Sequence, residues 1–335
     1  MPRLSIIIVN YKSANLIIDC LRSVYEFTSS GLDFEVIVVD NSNDENKAQV
    51  LKQFPEVQWV DMNYNAGFAR ANNAGIRIAK GDAVLLLNPD TIAIDNSITE
   101  CYKRLQQSDY AGAGVQILNA GHQPQISGNF FVKGGLNHLL PIPYWGDFIR
   151  WIGYKTKHKV PNLQRAKQVE EVDWISGAFL MVKKQAIEKA GLLDEDFFLY
   201  AEEVEWCSRL KKTGRLCIFG DLNIIHLEGA TINKSQRLEE KGYYNLYDKK
   251  GLQLMVSNHL RVRKQYGVFW FLVLLLNYTW GLFVYFVCSF FHRLFRLKNP
   301  EGEWKKASAF GKNVLKLWKL SPTIISNKPH FYKML

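Results

Sequence analysis

The stretch Val84-Leu85-Leu86-Leu87-Asn88-Pro89-Asp90-Thr91 decides how this chain is read. Four consecutive apolar residues predict a buried strand. Pro89 has no N–H for a ladder, so it stops the strand and turns the chain. Asp90 is thereby set at the carboxyl end of a strand, where open α/β sheets bind ligands. A carboxylate there suits a hard divalent cation, and such a cation can hold a diphosphate. Pro-Asp is also an ordinary turn former, and Asp an ordinary helix N-cap. The neighbouring segments have to decide between these readings.

Outward from that stretch, strand and helix signals alternate over the first 120 residues. Strands are expected at Ile6–Val9, Phe34–Val39, Val57–Val60, Ala83–Leu87 and Gly114–Leu118. Helices are expected from Ser13 to about Tyr25, through Ala48-Gln49-Val50-Leu51, from Asn65 to Ala79 and over Ile98–Leu105. Apolar strands alternating with amphipathic helices imply an α/β fold, a mostly parallel sheet covered on both faces. No G-x-G-x-x-G follows the first strand, and no G-x-x-x-x-G-K-[ST] occurs. The chain therefore lacks the phosphate cradles of dinucleotide dehydrogenases and P-loop NTPases.

Residues 121–172 hold several glycines, aromatics and basic residues with little periodicity, and read as long loops over one end of the sheet. Regularity returns with a strand at Phe179–Val182 and helices at Lys183–Ala190 and Glu202–Lys212. Strands near Leu216–Phe219 and Ile224–His226 then close the globular part.

The net charge is +10, from 42 Lys+Arg against 32 Asp+Glu. Much of the excess is C-terminal and flanks Val268–Phe291, a run with no charged residue. That run is long enough to span a bilayer. Basic residues on both sides leave its orientation open, and three readings stand: a span, an interfacial helix, or a helix buried in a homodimer. The position of the charge favours an anionic membrane surface over nucleic acid. The five cysteines are scattered, without zinc or disulfide spacing, which fits a reducing compartment. Met1-Pro2-Arg3 leads directly into Leu4–Val9, too short and too β-branched for a signal segment.

Three groups are expected on one rim of the sheet: Asn10-Tyr11 with Asp40-Asn41-Ser42, Asn65-Ala66-Gly67-Phe68-Ala69-Arg70, and Asn88-Pro89-Asp90. Asp40 can accept bonds from a base or ribose, or cap a helix. Gly67 opens a helix whose amides favour phosphate, and Arg70 adds a cation one turn in. Glu202 and Glu203 follow Phe197-Phe198-Leu199-Tyr200. They are either ordinary partners of a helix dipole or a carboxylate desolvated into a general base. His226 follows a short apolar strand and matters if it faces Asp90.

In order and spacing these motifs resemble the inverting nucleotide-sugar transferases of glycosyltransferase family 2, with a GT-A, Rossmann-like fold, and among them the rhamnosyltransferase-like branch. The matching residues are Ile8–Tyr11, Val38–Ser42, Asn65–Asn73, Leu86–Thr91, Trp174–Ala178, Phe197–Glu205, His226 and Gly229. They cover about residues 3–235. The resemblance implies a GT-A domain over 1–235, with a nucleotide-binding part to 120 and an acceptor part from 121. A helical, membrane-associating region would follow over 236–335. It implies that Asp90, with His226 as a further ligand, holds Mg²⁺ or Mn²⁺ on the donor diphosphate. Asn88 stands where the commoner D-x-D signature has a carboxylate. Asn10, Tyr11 and Asp40 would line the nucleotide pocket, and Asn65, Gly67 and Arg70 would lie near the diphosphate. Trp174 and Gly177 would sit by the sugar and acceptor. Glu203 falls on the position of the family's catalytic base, usually the Asp of a Glu-Asp pair. The Glu-Glu pair found here keeps Glu202 as a second candidate.

The implied activity is transfer of a sugar from a nucleotide diphosphate to a lipid-linked or polysaccharide acceptor at the cytoplasmic face of the plasma membrane, with dTDP-rhamnose as first choice of donor. The rival expectations are a non-catalytic sugar-nucleotide or glycan-binding subunit and a nucleotidyltransferase.

Overall fold

A computed structural model describes residues 3–28, 31–43, 47–156, 163–227, 245–295 and 300–335. Gly229 lies outside the described residues. The chain runs β1 (Leu4–Asn10), α1 (Ala14–Thr28), β2 (Phe34–Asp40), α2 (Lys47–Gln53), β3 (Gln58–Asp61), α3 (Gly67–Ile78), β4 (Ala83–Leu87), β5 (Thr91–Ala93), α4 (Ser97–Gln107) and β6 (Gly112–Leu118). It continues with β7 (Gly128–Asn129), a 3₁₀ segment at Lys133–Leu139, α5 (Trp145–Lys155), β8 (Glu170–Val172), β9 (Trp174–Ile175), β10 (Phe179–Lys183), α6 (Lys184–Ala190), α7 (Glu202–Leu210) and β11 (Leu216–His226). Three long helices close the chain: α8 (Lys249–Tyr266), α9 (Val268–Leu294) and α10 (Pro300–Ser326). These elements form two compact units.

The first unit comprises residues 1–130, 162–195 and 202–239. Its main sheet has the order β3-β2-β1-β4-β10-β6-β11-β5, with β8 added on β11. The β1–β4 region is parallel, and β10 enters antiparallel between β4 and β6. All five residues of β4 are buried, as expected of a strand covered on both faces. Alternate residues Leu4, Ile6 and Ile8 join a core with Ile17, Leu21 and Val24 of α1 and Ile98, Cys101 and Leu105 of α4. Ile7 points to the other face, where α3 approaches closely: a Cβ on Gly75 would stand 2.7 Å from Ile7 Cγ2. Alanine and glycine on α3 let the helix sit tight on the strands.

Three local features depart from the sequence-based expectation. A short strand, β5, follows Asp90 directly. The two expected C-terminal strands are one, β11, whose register slips between Phe219 and Asn223. A bulge of that kind bends a strand without ending it. Within 121–172 the chain forms an eleven-residue helix, α5.

The second unit comprises residues 131–161, 196–201 and 240–335. Asp248 caps α8 by accepting from the Gly251 N–H at 2.7 Å. Gly267 (φ 89°) ends α8 and lets α9 begin. Helices α8, α9 and α10 pack on one another, and α9 also packs on the 3₁₀ segment. Within this unit Lys264 Nζ reaches Asp196 Oδ2 at 2.7 Å, and Ser257 Oγ donates to the Leu199 carbonyl at 2.7 Å.

Candidate functional site

The turn read from Asn88-Pro89-Asp90 is present. The Thr91 N–H and hydroxyl both donate to the Asn88 carbonyl, at 3.2 and 2.7 Å. No helix follows, so Asp90 is not an N-cap. β5 instead pairs with the end of β11, with Thr91 opposite His226, and the Leu227 N–H donates to the Asp90 carbonyl. That pairing sets His226 Nε2 3.2 Å from Asp90 Oδ1. Both side chains are largely buried, 13% and 7% exposed. Asn88 Nδ2 lies 3.2 Å from the same Nε2.

Gln125 fixes the imidazole from behind. Its Nε2 donates to the His226 carbonyl at 3.2 Å, which leaves its Oε1 to accept from His226 Nδ1 at 3.1 Å. This network assigns the proton to Nδ1. Nε2 then turns its lone pair to the Asn88 amide, which can donate to it, and stands beside Asp90 Oδ1, so a nitrogen lone pair and a carboxylate oxygen face the same point. Two ligands of one small cation set at right angles stand about 3 Å apart, close to the separation found. Among the described residues no cluster of three or more His, Cys, Asp or Glu converges. The described residues thus bring two side chains able to ligate a cation to this point, and small hard cations commonly complete such a set with substrate phosphates and water.

On the neighbouring strands Asn10 pairs with Asp40 in register. Both are fully buried. Asp40 Oδ1 accepts from Asn10 Nδ2, the Ser42 N–H and Ser42 Oγ, at 3.0, 2.9 and 2.7 Å. Asn10 Oδ1 in turn accepts from the Ser13 N–H and hydroxyl. Tyr11 is half-buried beside this pair, with the Lys12 ammonium 5.6 Å from its ring centre. β1 also pairs with β4, Ile8 opposite Leu87, so Asn10, Asp40 and Asn88 share one edge of the sheet.

The Asn65–Arg70 segment opens α3 through Gly67, whose φ of 76° is left-handed. The Gly67 N–H donates to Asn65 Oδ1, and its carbonyl accepts from Asn41 Nδ2. That amide is therefore engaged inside the protein. Arg70 Nε donates to the Glu195 carbonyl at 3.0 Å. Asn73, fully buried, exchanges bonds with the Leu193 backbone and donates to Glu195 Oε1. The turn after α6 is tied to α3 by these contacts.

Glu203 is half-buried, and a Cβ on Gly177 would stand 3.7 Å from Glu203 Cγ and 3.2 Å from Phe68 Cζ. Gly177 thus lines the wall that also carries Glu203. Trp174 lies on β9, opposite Asn129 of β7. Glu202 points inward: it is 3% exposed, and its Oε2 has no hydrogen-bond partner. Burial, and then the neighbouring charge of Glu203, hold its carboxyl well above the usual carboxylate range. Glu202 is the buried carboxyl of the pair, and Glu203 is the more accessible.

The structure joins Asn88, Asp90 and His226 in one cluster, Asn10 with Asp40 in a second, and Gly177 with Glu203 in a third. It turns Arg70 toward a backbone carbonyl. Sequence reasoning passed over Gln125, and it named Asn41 and Phe68 only as members of their motifs. Gln125 sits in a segment without periodicity. A cavity of about 300 Å³ lies at the other end of β4, lined by Ile76, Val84, Lys184 and Ile187, among others. It holds none of these site residues.

Residues 5–128 match the model of "Glycosyl transferase family 2". The chain is 31% identical over 218 residues to the "Low-salt glycan biosynthesis hexosyltransferase Agl10" of Haloferax volcanii, covering 62% of each chain. It is 25% identical over 205 residues to the "N-acetylglucosaminyl-diphospho-decaprenol L-rhamnosyltransferase" of Mycobacterium tuberculosis, covering 55% of this chain and 63% of that one. The chain thus spans about three-fifths of the length of these relatives. In fold it is similar to GalNAc-T7, solved with UDP, GalNAc and Mn²⁺, with a TM-score of 0.55, 14% identity and coverage of 78% of this chain and 48% of that one. With the strand-end motifs in the order and spacing found here, these similarities place a glycosyltransferase family 2 domain over residues 5–128 of a chain with a GT-A fold.

Proposed function

We propose that this protein is an inverting, metal-dependent glycosyltransferase. It would move a sugar, rhamnose as first choice, from a nucleotide diphosphate to a lipid-linked or polysaccharide acceptor in cell-surface glycan synthesis. The observation that carries the reading is the buried Asp90–His226 pair at 3.2 Å on the same sheet edge as Asn10 and Asp40. A carboxylate and an imidazole brought together at a strand end suit a cation carrying a diphosphate.

In this reading Asp90 and His226 hold Mg²⁺ or Mn²⁺. The chemistry such an ion supplies is Lewis-acid neutralisation of charge on the leaving diphosphate. Asn88 contributes an amide in place of a second carboxylate, so the site carries less negative charge. Asn10, Tyr11 and Asp40 hold the nucleoside, and Asn65 and Gly67 shape the approach to the phosphates. Arg70 supports that wall through the Glu195 carbonyl. Trp174 and Gly177 bound the sugar, and the missing side chain at Gly177 leaves room for the acceptor. Glu203 takes the proton from the acceptor hydroxyl. The freed oxygen bonds to the anomeric carbon as the bond to the diphosphate oxygen breaks on the opposite face, which inverts the configuration. Proximity supplied by the strand ends lowers the barrier further.

Two observations support a lipid-linked acceptor at a membrane surface. The chain carries an apolar helix, Val268–Phe291, long enough to cross a membrane by length and composition. A relative is named for a decaprenol-linked acceptor. The reading is tested by screening nucleotide sugars for thermal stabilisation with Mn²⁺, then assaying transfer to polyprenyl-diphosphate glycans. Stabilisation by dTDP-rhamnose and an inverted product are expected. Release of inorganic pyrophosphate would make the protein a nucleotidyltransferase, and binding without turnover would make it a binding subunit.

A further inference from the structure

The helix Val268–Leu294 has two apolar faces and only one cover. Phe271, Leu274, Leu275, Tyr278 and Tyr285 are buried within the second unit. The opposite stripe, Phe269, Leu276, Trp280, Phe283, Val287 and Phe290, is exposed, with Phe269 at 70% and Phe283 at 56%. The stripe recurs at helical spacing and contains no polar residue. A helix face turned to water is normally polar, so this one is built for another covering. The aromatic surface continues onto α5: Trp280 meets Trp145 edge-on, Trp145 stacks with Phe148, and Phe148 stacks with Trp151.

Cations rim this surface. Lys155 sits 5.0 Å from the Trp151 ring centre, and Lys133 lies 6.0 Å from that of Trp270. On α10, which packs along α9, Lys305, Lys312, Lys316 and Lys319 are exposed. Trp318 of α10 donates to Thr279 Oγ1 of α9 at 2.9 Å, so α10 stays beside the apolar stripe. Pairing two copies through the stripe would bring these like charges together. Anionic headgroups would neutralise them.

We infer that the exposed stripe of Phe269–Phe290, with Phe148 and Trp151, lies in the plane of an anionic lipid surface and inserts shallowly without spanning it. The inference deepens the membrane reading above and rests on it. A spanning α9 would drag the lysines of α10 into hydrocarbon, at prohibitive cost. An in-plane helix instead leaves them at headgroup level, where long cationic side chains and tryptophans settle.

The test uses the full chain with preformed vesicles, of phosphatidylcholine with a quarter phosphatidylglycerol or of phosphatidylcholine alone. Flotation with the anionic vesicles, weaker flotation with neutral ones, and a fall of at least about tenfold in Leu276→Lys/Phe283→Lys are expected. Because that variant adds charge to a packed bundle, Leu276→Ser/Phe283→Ser is compared with it, and circular dichroism reports folding in both. Lipids brominated near the headgroup should quench the wild type more than lipids brominated near the chain end, and Trp280→Phe should lose much of that quenching. Stronger quenching from the chain end would mean a span and would overturn the inference. Equal flotation of folded variants and wild type would leave the membrane reading standing and remove this face from it. No flotation, with self-association abolished by the same substitutions, would overturn both in favour of a dimer interface.

Discussion

His226 Nε2 stands 3.2 Å from Asp90 Oδ1 although 136 positions separate them, and backbone pairing puts it there. The antiparallel pairing of Thr91 with His226 carries each residue to the same point, one by a turn and the other by a strand end. The turn fixed by Pro89 and the placement of the Asp90 carboxylate are one feature. A residue that terminates a strand also aims the carboxylate.

Asp90→Asn keeps the shape of the side chain and removes its charge. Turnover with the best nucleotide sugar should fall by roughly 10²–10³-fold. Stabilisation by Mn²⁺ plus nucleotide should fall with it. His226→Ala should weaken the Mn²⁺ dependence by about 10–100-fold, read from metal titrations of activity. If Asp90→Asn gives the same metal titration curve as wild type, Asp90 is not a ligand.

Glu203→Gln separates proton transfer from binding. The amide preserves the contact with the Gly177 wall and cannot accept the acceptor's proton, so kcat should drop by about 10²–10⁴-fold. Affinity for the nucleotide sugar, measured by calorimetry, should stay within a few-fold. A parallel loss of affinity would assign Glu203 to the binding surface.

The sheet was legible because its strands are buried on both faces and nearly free of polar residues, as in Ala83–Leu87, where all five are buried. β5 was hidden because Thr91-Ile92-Ala93 is too short to show a period. β11 read as two strands because Gly220-Asp221 looks like a turn, and the bulge carries the ladder across it. α5 does carry a helical signal, aromatics at Trp145, Phe148 and Trp151, but its apolar side chains face outward and suggest no core. Asp90 stood out as a candidate from its turn and strand end, and Glu203 from the family resemblance. Gln125 was not legible, because its role depends wholly on where the far end of β11 lies.

Glu202 makes the folded state sensitive to pH in a defined direction. Burial first, and the charge of Glu203 second, hold its carboxyl well above the ordinary value of 4.5. The native state therefore binds this proton more tightly than the unfolded chain does. Its contribution is fully present below about pH 4.5 and is lost as pH rises through the raised folded value. Glu202→Gln has the shape of the neutral acid and cannot ionise. Its stability should match wild type near pH 4 and increasingly exceed it at higher pH, as read from urea midpoints. A pH-independent offset between the two proteins would rule out this assignment.

Gly67 is the position where backbone conformation holds the first and second strand-end groups together. Its φ of 76° is accessible to glycine and strained for alanine. Its carbonyl accepts from Asn41, and its N–H donates to Asn65. Gly67→Ala should lower the unfolding free energy by about 1–2 kcal/mol. Gly67→Asn should lose less, because asparagine tolerates the left-handed region better. The ordering Gly, Asn, Ala in urea midpoint separates backbone strain from crowding, since the larger side chain would then be the milder change. An asparagine variant less stable than the alanine one would place the cost in packing around α3 instead.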